Sequence, residues 1–292
     1  MIMNEVVKKT GFFNSFDGAS IYYEIRGTGK PLILLYGIAC SSHHWRHQLQ
    51  YFSQNYQTIF MDYRGHQSTP APTDLNQVSI DAIAEDLIAL TQHLGLEKAS
   101  IWGHSFASQI IIAAYQKRAD IFSNLILINA FADNPLKKSL GGKYALLLAE
   151  TLCMSQRKMP RPLTAVWKTV VNHPLTLRLS ALAGGFNLEL SSYRDLEVYS
   201  RGVSSMNLDV FTSLFEEMLS FQGQQVLRKI SVPTLIIGGS KDSVTPLAYQ
   251  MELHASIPQS EFLAVPLGSH CTPLDMPELV NLRIEKFLNS VY

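Results

Sequence analysis

The sequence predicts an α/β fold in which a mostly parallel sheet carries helices on both faces. Two kinds of segment alternate along the chain and predict it. Residues 32–36 are continuously apolar, as a strand covered on both faces must be. Residues 80–94 place apolar side chains three and four positions apart, which indicates an amphipathic helix with Ser79 as its N-cap. Repeated strand–helix–strand units with buried strands favour parallel pairing.

The remaining elements follow in order and divide the chain in two. Further strands are predicted at 20–26, 58–62, 99–103, 124–128, 233–238 and 261–265, with body helices at 106–117 and 274–288. Between them, residues 133–228 show helical stretches (143–156, 163–172, 175–183 and 209–222) and no convincing strand. We therefore expect a body domain formed by residues 1–132 and 229–292, interrupted by a helical cap at 133–228.

Composition excludes several classes of protein. The 292 residues are 47% hydrophobic and only 16% charged, which excludes a disordered or fibrous chain. The net charge is zero, so no global field attracts nucleic acid. The three cysteines lack CxxC spacing and indicate free thiols in a reducing compartment, although one disulfide is also compatible. Without a secretory pattern or an 18-residue apolar run, the chain is predicted to be cytoplasmic.

The strongest chemical signal is the run Gly103-His-Ser-Phe-Ala107, which lies between a predicted strand and a predicted helix. Such a sharp turn exposes the Ser105 hydroxyl above the carboxyl edge of the sheet, and small flanking residues avoid clashes across it. The helix that follows favours negative charge at its N-terminus, which suits a developing oxyanion. Ser105 is therefore the candidate nucleophile, with an ordinary serine in a strand–helix turn as the alternative.

A serine nucleophile needs a general base, and the base needs an orienting acid. Asp242 directly follows one buried strand, and His270 directly follows the last strand. Both therefore lie at the same sheet edge as Ser105, where open parallel sheets bind ligands. Taken singly, Asp242 could be a turn former and His270 a polar helix cap. Together with Ser105 they predict a catalytic triad in the chain order Ser, Asp, His.

These motifs resemble the α/β-hydrolase family, in its capped, esterase-like branch. The resemblance covers residues 11–131 and 229–290. The segment Asp62-Tyr-Arg-Gly-His-Gln-Ser68 is similar to the family's D-x-R-G-x-G-x-S loop, shortened by one position at Gln67. The resemblance implies Ser105 as nucleophile, His270 as base and Asp242 as orienting acid, with no cofactor and no metal.

The expected oxyanion hole departs from the family pattern. The resemblance places backbone donors at Ile38 and Phe106, but Tyr36 stands where the family has a histidine. Three alternatives follow for Tyr36: its hydroxyl holds the loop, it projects into the pocket as a substrate-binding group, or its ring simply packs. Backbone donors do not depend on side-chain identity, so the hole itself is expected to persist.

The cap is expected to carry the substrate specificity. Candidate pocket residues are Trp167, Phe211, Phe215 and Met218, although each could pack between helices instead. The segment 137–178 contains eight basic residues and a single acid, Glu150. That run is either a solvated face or a rim for an anionic head group or a membrane surface. His43, His44 and His47 could in principle bind a metal, but no acidic residue lies near them in sequence.

The sequence thus predicts a serine hydrolase that cleaves a carboxylic ester, lactone or thioester of a small to medium apolar substrate. A similar triad could instead support acyl transfer, C–C hydrolysis or cofactor-free perhydrolysis. A ligand-binding protein that has lost turnover also remains open. The expected partner is a small-molecule ester, with no nucleic acid, no transmembrane segment and transient membrane-surface contact through the basic segment. The chain is expected to be a monomer or a homodimer.

Overall fold

A computed structural model describes residues 7–138, 142–181 and 185–292. Eight strands form one sheet in the order β1-β2-β4-β3-β5-β6-β7-β8. The six strands from β4 to β8 in this spatial order, β3 included, run parallel to their neighbours. Strand β2 is antiparallel to both β1 and β4. The strands are β1 (Lys8–Asn14), β2 (Ser20–Arg26), β3 (Pro31–Leu35), β4 (Gln57–Met61), β5 (Ala99–His104), β6 (Phe122–Ile128), β7 (Thr234–Gly239) and β8 (Ser260–Val265).

The predicted parallel sheet is confirmed, and the structure adds the edge strand β1. Six of its seven residues are exposed or half-exposed, and only Phe13 is buried. A strand at the sheet edge needs few apolar residues, so its sequence lacks the continuous apolar run that marks the central strands.

Helices cover both faces of the sheet. One layer contains α2, α3, α9 and α10, and the other contains α1, α11 and α12. The helices are α1 (Arg46–Phe52), α2 (Ile80–His93), α3 (Ala107–Lys117), α4 (Gly142–Lys158), α5 (Pro160–Val171), α6 (Pro174–Ser180), α7 (Tyr193–Ser205), α8 (Leu208–Ser220), α9 (Gln224–Leu227), α10 (Leu247–Ser256), α11 (Thr272–Asp275) and α12 (Pro277–Val291). Short 3₁₀ turns occupy Ser42–Trp45, Leu75–Gln77, Ala119–Ile121 and Pro135–Lys137.

Helix α2 forms as its sequence predicts. The Ser79 hydroxyl accepts a hydrogen bond from the Ala82 amide at 3.0 Å, which caps the N-terminus. Ile83, Leu87 and Leu90 share one face and are fully buried. Burying each of them contributes roughly 1.5–3 kcal/mol before the entropy of ordering is counted.

Helices α4 to α8 lie between β6 and β7 and form the inserted helical cap. Helix α8 packs on α2 of the body and on α4, and α5 packs on α7. Helix α7 is not predicted from the sequence, because its first half, Tyr193–Glu197, is rich in charged and polar residues. A capping box between Ser192 and Asp195 starts it instead. Of the predicted helix at 175–183, residues 182–183 lie outside the described part of the chain.

Among the described residues, no helix combines the length and the apolar character that crossing a membrane requires.

Candidate active site

Ser105 lies in a strained turn between β5 and α3. Its φ angle is +56°, and its amide donates to the Ile128 carbonyl at 3.0 Å. Gly103 leaves room just before the turn, because a Cβ there would lie 2.4 Å from the Cδ1 atom of Ile111, whose side chain would have to shift. A non-glycine residue in left-handed conformation is typical of a functional site held by surrounding structure.

The three residues of the predicted triad are brought together in one hydrogen-bonded chain. Ser105 Oγ lies 2.8 Å from His270 Nε2, and His270 Nδ1 lies 2.9 Å from Asp242 Oδ2. Asp242 follows β7 and His270 follows β8, so both reach Ser105 across the carboxyl edge of the sheet. This geometry allows an imidazole to take a proton from the serine hydroxyl while a carboxylate orients the ring.

Asp242 is held ionised by a dense set of donors. Its Oδ1 accepts from the amides of Val244 and Thr245 at 2.9 and 2.8 Å. Its Oδ2 accepts from the Thr245 hydroxyl at 2.6 Å and from the Asn129 amide group at 2.8 Å. Burial alone would raise the pKa of Asp242, but the neighbouring His270 and these hydrogen bonds outweigh it and hold the pKa below its ordinary value.

Sequence reasoning missed Asn129 and Thr245. Asn129 directly follows β6, with a φ angle of +49°, and Thr245 stands three residues after the acid. A polar residue at the carboxyl end of a buried strand was the available signal, because that edge is where the site forms.

A second imidazole, that of His104, is hydrogen-bonded to the backbone of His270. His104 Nε2 donates to the His270 carbonyl at 2.7 Å, and its ring lies against that of His44 with centroids 3.9 Å apart. Burial, reinforced by the nearby His270, lowers the pKa of His104 to about 3. His104 is therefore a neutral, structural neighbour of the triad at physiological pH.

The loop after β3 is held by Tyr36, which resolves the alternatives left by the sequence. The Tyr36 hydroxyl donates to Asp62 Oδ1 at 2.8 Å, and the Tyr36 carbonyl accepts from the Tyr63 hydroxyl at 2.7 Å. Tyr36 is fully buried and does not line the cavity beside Ser105. The prediction that Tyr36 binds substrate is therefore wrong, because its ring points into the core and its hydrogen bonds hold the loop.

His66 fastens the next part of the same loop. Its Nε2 accepts a hydrogen bond from the Ala39 amide at 3.1 Å, and Ala39 has a φ angle of +58°. Burial lowers the pKa of His66 to about 4, so it is neutral and can accept. In the described part of the chain, the amides of Ile38 and Phe106 donate to no protein acceptor. Both are available to a ligand oxygen.

A cavity of about 340 Å³ opens beside Ser105 and His270. No lysine, arginine, aspartate or glutamate is among its lining residues in the described chain. The apolar part of the lining comes from the body and from the cap: Ile38, Phe131, Pro135, Leu136, Phe186, Tyr199, Phe215, Met218 and Val244. Such a site favours uncharged, apolar groups.

Two of the four predicted cap residues reach this cavity. Phe215 and Met218 line it, whereas Trp167 and Phe211 do not. Trp167 donates from Nε1 to the Val203 carbonyl at 3.3 Å and packs on Phe211 with ring centroids 5.7 Å apart. The prediction that Trp167 and Phe211 line the pocket is therefore wrong, because both rings pack between cap helices.

Helix α7 brings Tyr199 to the cavity in a fixed position. Four residues earlier, Asp195 forms an ion pair with Arg46 of the body, its Oδ1 lying 2.8 Å from Nη1. Three residues later, Gly202 lies so close to the loop after β3 that a Cβ would be 2.4 Å from the Ala39 carbonyl oxygen. Spacings of four and three place these residues on one helical face. The Tyr199 side chain is thus held between two contacts with the body.

The histidine run has a structural use. His43 Nε2 lies 3.0 Å from Asp195 Oδ1, and the His44 ring packs against that of His104 at a tilt of 31°. The described residues contain no group of three or more histidine, cysteine or acidic side chains arranged to hold a metal ion.

The basic residues of the cap lie away from the cavity. Lys143, Lys158, Lys168 and Arg178 are exposed, and none of them lines the pocket; the side chain of Arg161 lies outside the described part of the chain. These side chains therefore do not form a basic rim at this cavity.

Comparison with known proteins agrees with this architecture. A family model described as alpha/beta hydrolase fold matches residues 30–277. Epoxide hydrolase 1 of Caenorhabditis elegans is 23% identical over 92% of this chain and 67% of its own length. The karrikin insensitive 2 receptor IA of Petunia hybrida is 24% identical over 89% and 90%.

A solved structure shares the fold over nearly the whole chain. A thermophilic esterase from Thermogutta terrifontis superposes with a TM-score of 0.75 at 22% identity, covering 97% of this chain and 99% of the other. With the family model matching most of the sequence, this protein belongs to the alpha/beta hydrolase fold family.

Proposed function

We propose that this protein is a serine hydrolase of uncharged, apolar carboxylic esters. The observation that carries the proposal is the unbroken chain from Ser105 Oγ through His270 to Asp242, at the floor of a cavity whose lining holds no lysine, arginine, aspartate or glutamate among the described residues. The amides of Ile38 and Phe106 are the proposed oxyanion hole.

In the proposed first step, Ser105 Oγ attacks the ester carbonyl carbon while its proton passes to His270 Nε2. The carbonyl oxygen becomes negative and accepts hydrogen bonds from the Ile38 and Phe106 amides. Collapse breaks the bond to the alcohol oxygen, which takes the proton from His270 and leaves. Asp242 stays ionised throughout and stabilises the imidazolium.

In the second step, water replaces the alcohol. His270 takes one water proton as the oxygen attacks the acyl carbon, and the acid product departs as Ser105 regains its proton. The acyl-enzyme is itself an ester, so water can cleave it by the same addition and collapse, with Ser105 Oγ now as the leaving group.

The identity of the nucleophile argues against epoxide hydrolysis, although one relative is named an epoxide hydrolase. If Ser105 opened an epoxide, the product would be an alkyl ether of serine. An ether has no carbonyl for water to attack, so the enzyme would be trapped. Ser105 therefore favours acyl chemistry.

Tyr199 narrows the proposed substrate class. In the described chain, its hydroxyl has no hydrogen-bond acceptor, although its ring lines the cavity. Burial raises the pKa of Tyr199, and the nearby thiols of Cys40 and Cys271 add to the effect, so the phenol remains a donor at physiological pH. We infer that the substrate presents an ether or carbonyl oxygen to Tyr199, separate from the scissile carbonyl.

We further propose that residues 133–228 act as a cap domain on a body formed by 1–132 and 229–292. Support comes from α7 and α8, which supply Tyr199, Phe215 and Met218 to the cavity. The three cysteines are free and buried, which supports the proposed cytoplasmic, reducing location.

A labelling experiment with turnover tests the proposal. A fluorophosphonate probe should label the wild type and Ser205→Ala, a matched exposed serine on α7, but not Ser105→Ala. The wild type should also turn over a nitrophenyl ester many times per active site. Labelling without turnover would instead identify a binding protein that has kept a reactive serine. Labelling of Ser105→Ala would refute the assignment of the nucleophile.

A further inference from the structure

The outer layer of the cap exposes an unusual amount of apolar surface. Among the described residues, fourteen large apolar side chains are more than half exposed, and nine of them lie within residues 142–181. We call these nine the outer cap face: Tyr144, Leu147, Leu148, Met154, Met159, Val166, Val170, Leu175 and Leu179. Helix α5 packs against both α4 and α6, so these side chains lie on adjoining helices. Exposed apolar groups gathered on neighbouring elements mark an interaction surface.

Each of the three outer helices has an apolar pair that faces solvent in addition to its packed face. On α5, Trp167 and Val171 pack inward, while Val166 and Val170 are both 53% exposed. Helix α4 exposes Tyr144 and Leu148 in the same i, i+4 relation, and α6 exposes Leu175 and Leu179. The outward pairs are not needed for packing within the cap, since other side chains of the same helices do that.

The charge of this layer is strongly positive. Residues 142–180 contain six basic residues and one acid, and the net charge of the whole chain is zero. The remainder of the protein therefore carries the balancing negative charge, so the molecule is polarised toward the outer cap face. Lys158, Lys168 and Arg178 are exposed on the same helices as the apolar pairs.

We propose that the outer cap face docks on an anionic lipid surface. Exposed apolar side chains interspersed with lysine and arginine match the interface of a bilayer, where the apolar groups enter the acyl boundary and the cations meet phosphate head groups. The described helices do not span a membrane, so the contact is peripheral. A second copy of this chain is disfavoured as the partner, because a two-fold interface would set like charges against each other.

Vesicle sedimentation tests the proposal on the Ser105→Ala protein, which should leave the lipids intact. Vesicles of phosphatidylcholine alone are compared with vesicles that also contain phosphatidylglycerol. We expect binding to the anionic vesicles only, weakening as salt is raised. Each basic residue near an anionic surface contributes about fivefold to binding, so neutralising three should reduce binding by up to about a hundredfold.

Three sets of substitutions separate the contributions. The apolar set replaces one residue on each helix, the charge set neutralises three cations, and the body set makes matched changes elsewhere on the exposed surface. They are Leu148→Gln, Val170→Gln and Leu179→Gln; Lys158→Gln, Lys168→Gln and Arg178→Gln; and Met251→Gln, Leu282→Gln, Lys229→Gln and Lys286→Gln. The first two sets should each lose binding by about tenfold or more, and the body set should bind as the parent does.

Three results would overturn the proposal. The first is that the parent protein sediments no better with anionic vesicles than without lipid. The second is that folded variants of the outer cap face bind as well as the parent. The third is a dimer in sedimentation equilibrium that the cap substitutions dissociate, which would assign the face to a second copy. If a cap variant fails to fold, the lipid and salt dependence of the parent protein still decides.

Discussion

Acid should destabilise this protein through histidines that fold in their neutral form, and His66 offers the clearest test. Burial lowers the pKa of His66 from 6.5 to about 4, and that of His104 to about 3. At a pH between the folded-state pKa and 6.5, the histidine is protonated in the unfolded chain but neutral in the folded protein. The free energy of unfolding therefore falls as pH falls through this window.

The size of the effect follows from the same values. Between pH 7 and pH 5, one such imidazole lowers the free energy of unfolding by about 2 kcal/mol. The result is nearly the same for a folded pKa of 3 or 4, since pH 5 lies above both. Burial raises the pKa of the Asp62 and Asp86 carboxyls, which oppose the trend because they take up protons earlier in the folded state. The measurement should therefore compare the pH-dependent loss of unfolding free energy in the wild type with the loss in a variant that lacks the histidine.

His66→Gln isolates the histidine. Glutamine can still accept from the Ala39 amide, but it does not titrate. Urea unfolding at pH 7 and pH 5 should show the wild type losing about 2 kcal/mol more than His66→Gln. His173→Gln is the exposed comparison: the imidazole caps α6 by accepting from the Leu175 amide, and a glutamine side chain can accept there too, so this variant should behave as the wild type does. Equal losses in wild type and His66→Gln would refute the reasoning.

Four further outcomes are expected. Ser105→Ala should lower kcat/KM by a factor on the order of 10⁴ to 10⁶ with an unchanged unfolding midpoint; probe attached to Cys40 instead would contradict it. Tyr36→Phe should lower kcat about tenfold with little change in KM, because the loop carrying the Ile38 amide loosens; a change in KM alone would contradict it. Tyr199→Phe should reduce kcat/KM about fivefold for esters with an ether oxygen in the acyl chain and leave plain alkanoyl esters unaffected. For nitrophenyl esters from acetate upward, kcat/KM should rise by up to about fourfold per methylene until the cavity is full, and a flat profile would exclude an acyl pocket.

The parts of the site that follow strand ends were predictable. Ser105 directly follows β5, and Asp242 and His270 lie in the loops that follow β7 and β8. Parallel strands all end at one edge of the sheet. Topology alone therefore brings the three residues near one another, and chemistry selects them from their neighbours. Asn129 and Thr245 lie at the same edge, but an amide or a hydroxyl is common in loops, so their contact with Asp242 was not distinguished from turn formation.

The position of Tyr36 in the loop after β3 could be predicted from the sequence, but the direction of its side chain could not. Tyr36 directly follows the buried strand β3 and could point to either side of the sheet. Its direction depends on Asp62, which lies on the neighbouring strand's loop and accepts its hydroxyl. A long-range hydrogen bond of this kind has no periodic signal in the sequence, so the three alternatives for Tyr36 could be separated only once the fold was known.

The cap shows where helical periodicity stops being informative. Phe211, Phe215 and Met218 are spaced four and three apart on α8, so the sequence predicts one apolar stripe. The stripe exists, but the cavity reaches only its last two members. Phe211 stacks on Phe215 with centroids 5.7 Å apart and turns its other side to Trp167. Periodicity identifies which face of a helix is apolar, whereas the position of the cavity along that face depends on neighbouring elements. The same ambiguity applies to α4, α5 and α6, where a second set of apolar side chains is exposed on each helix. Periodicity shows that these side chains share a face, but it does not show what covers that face.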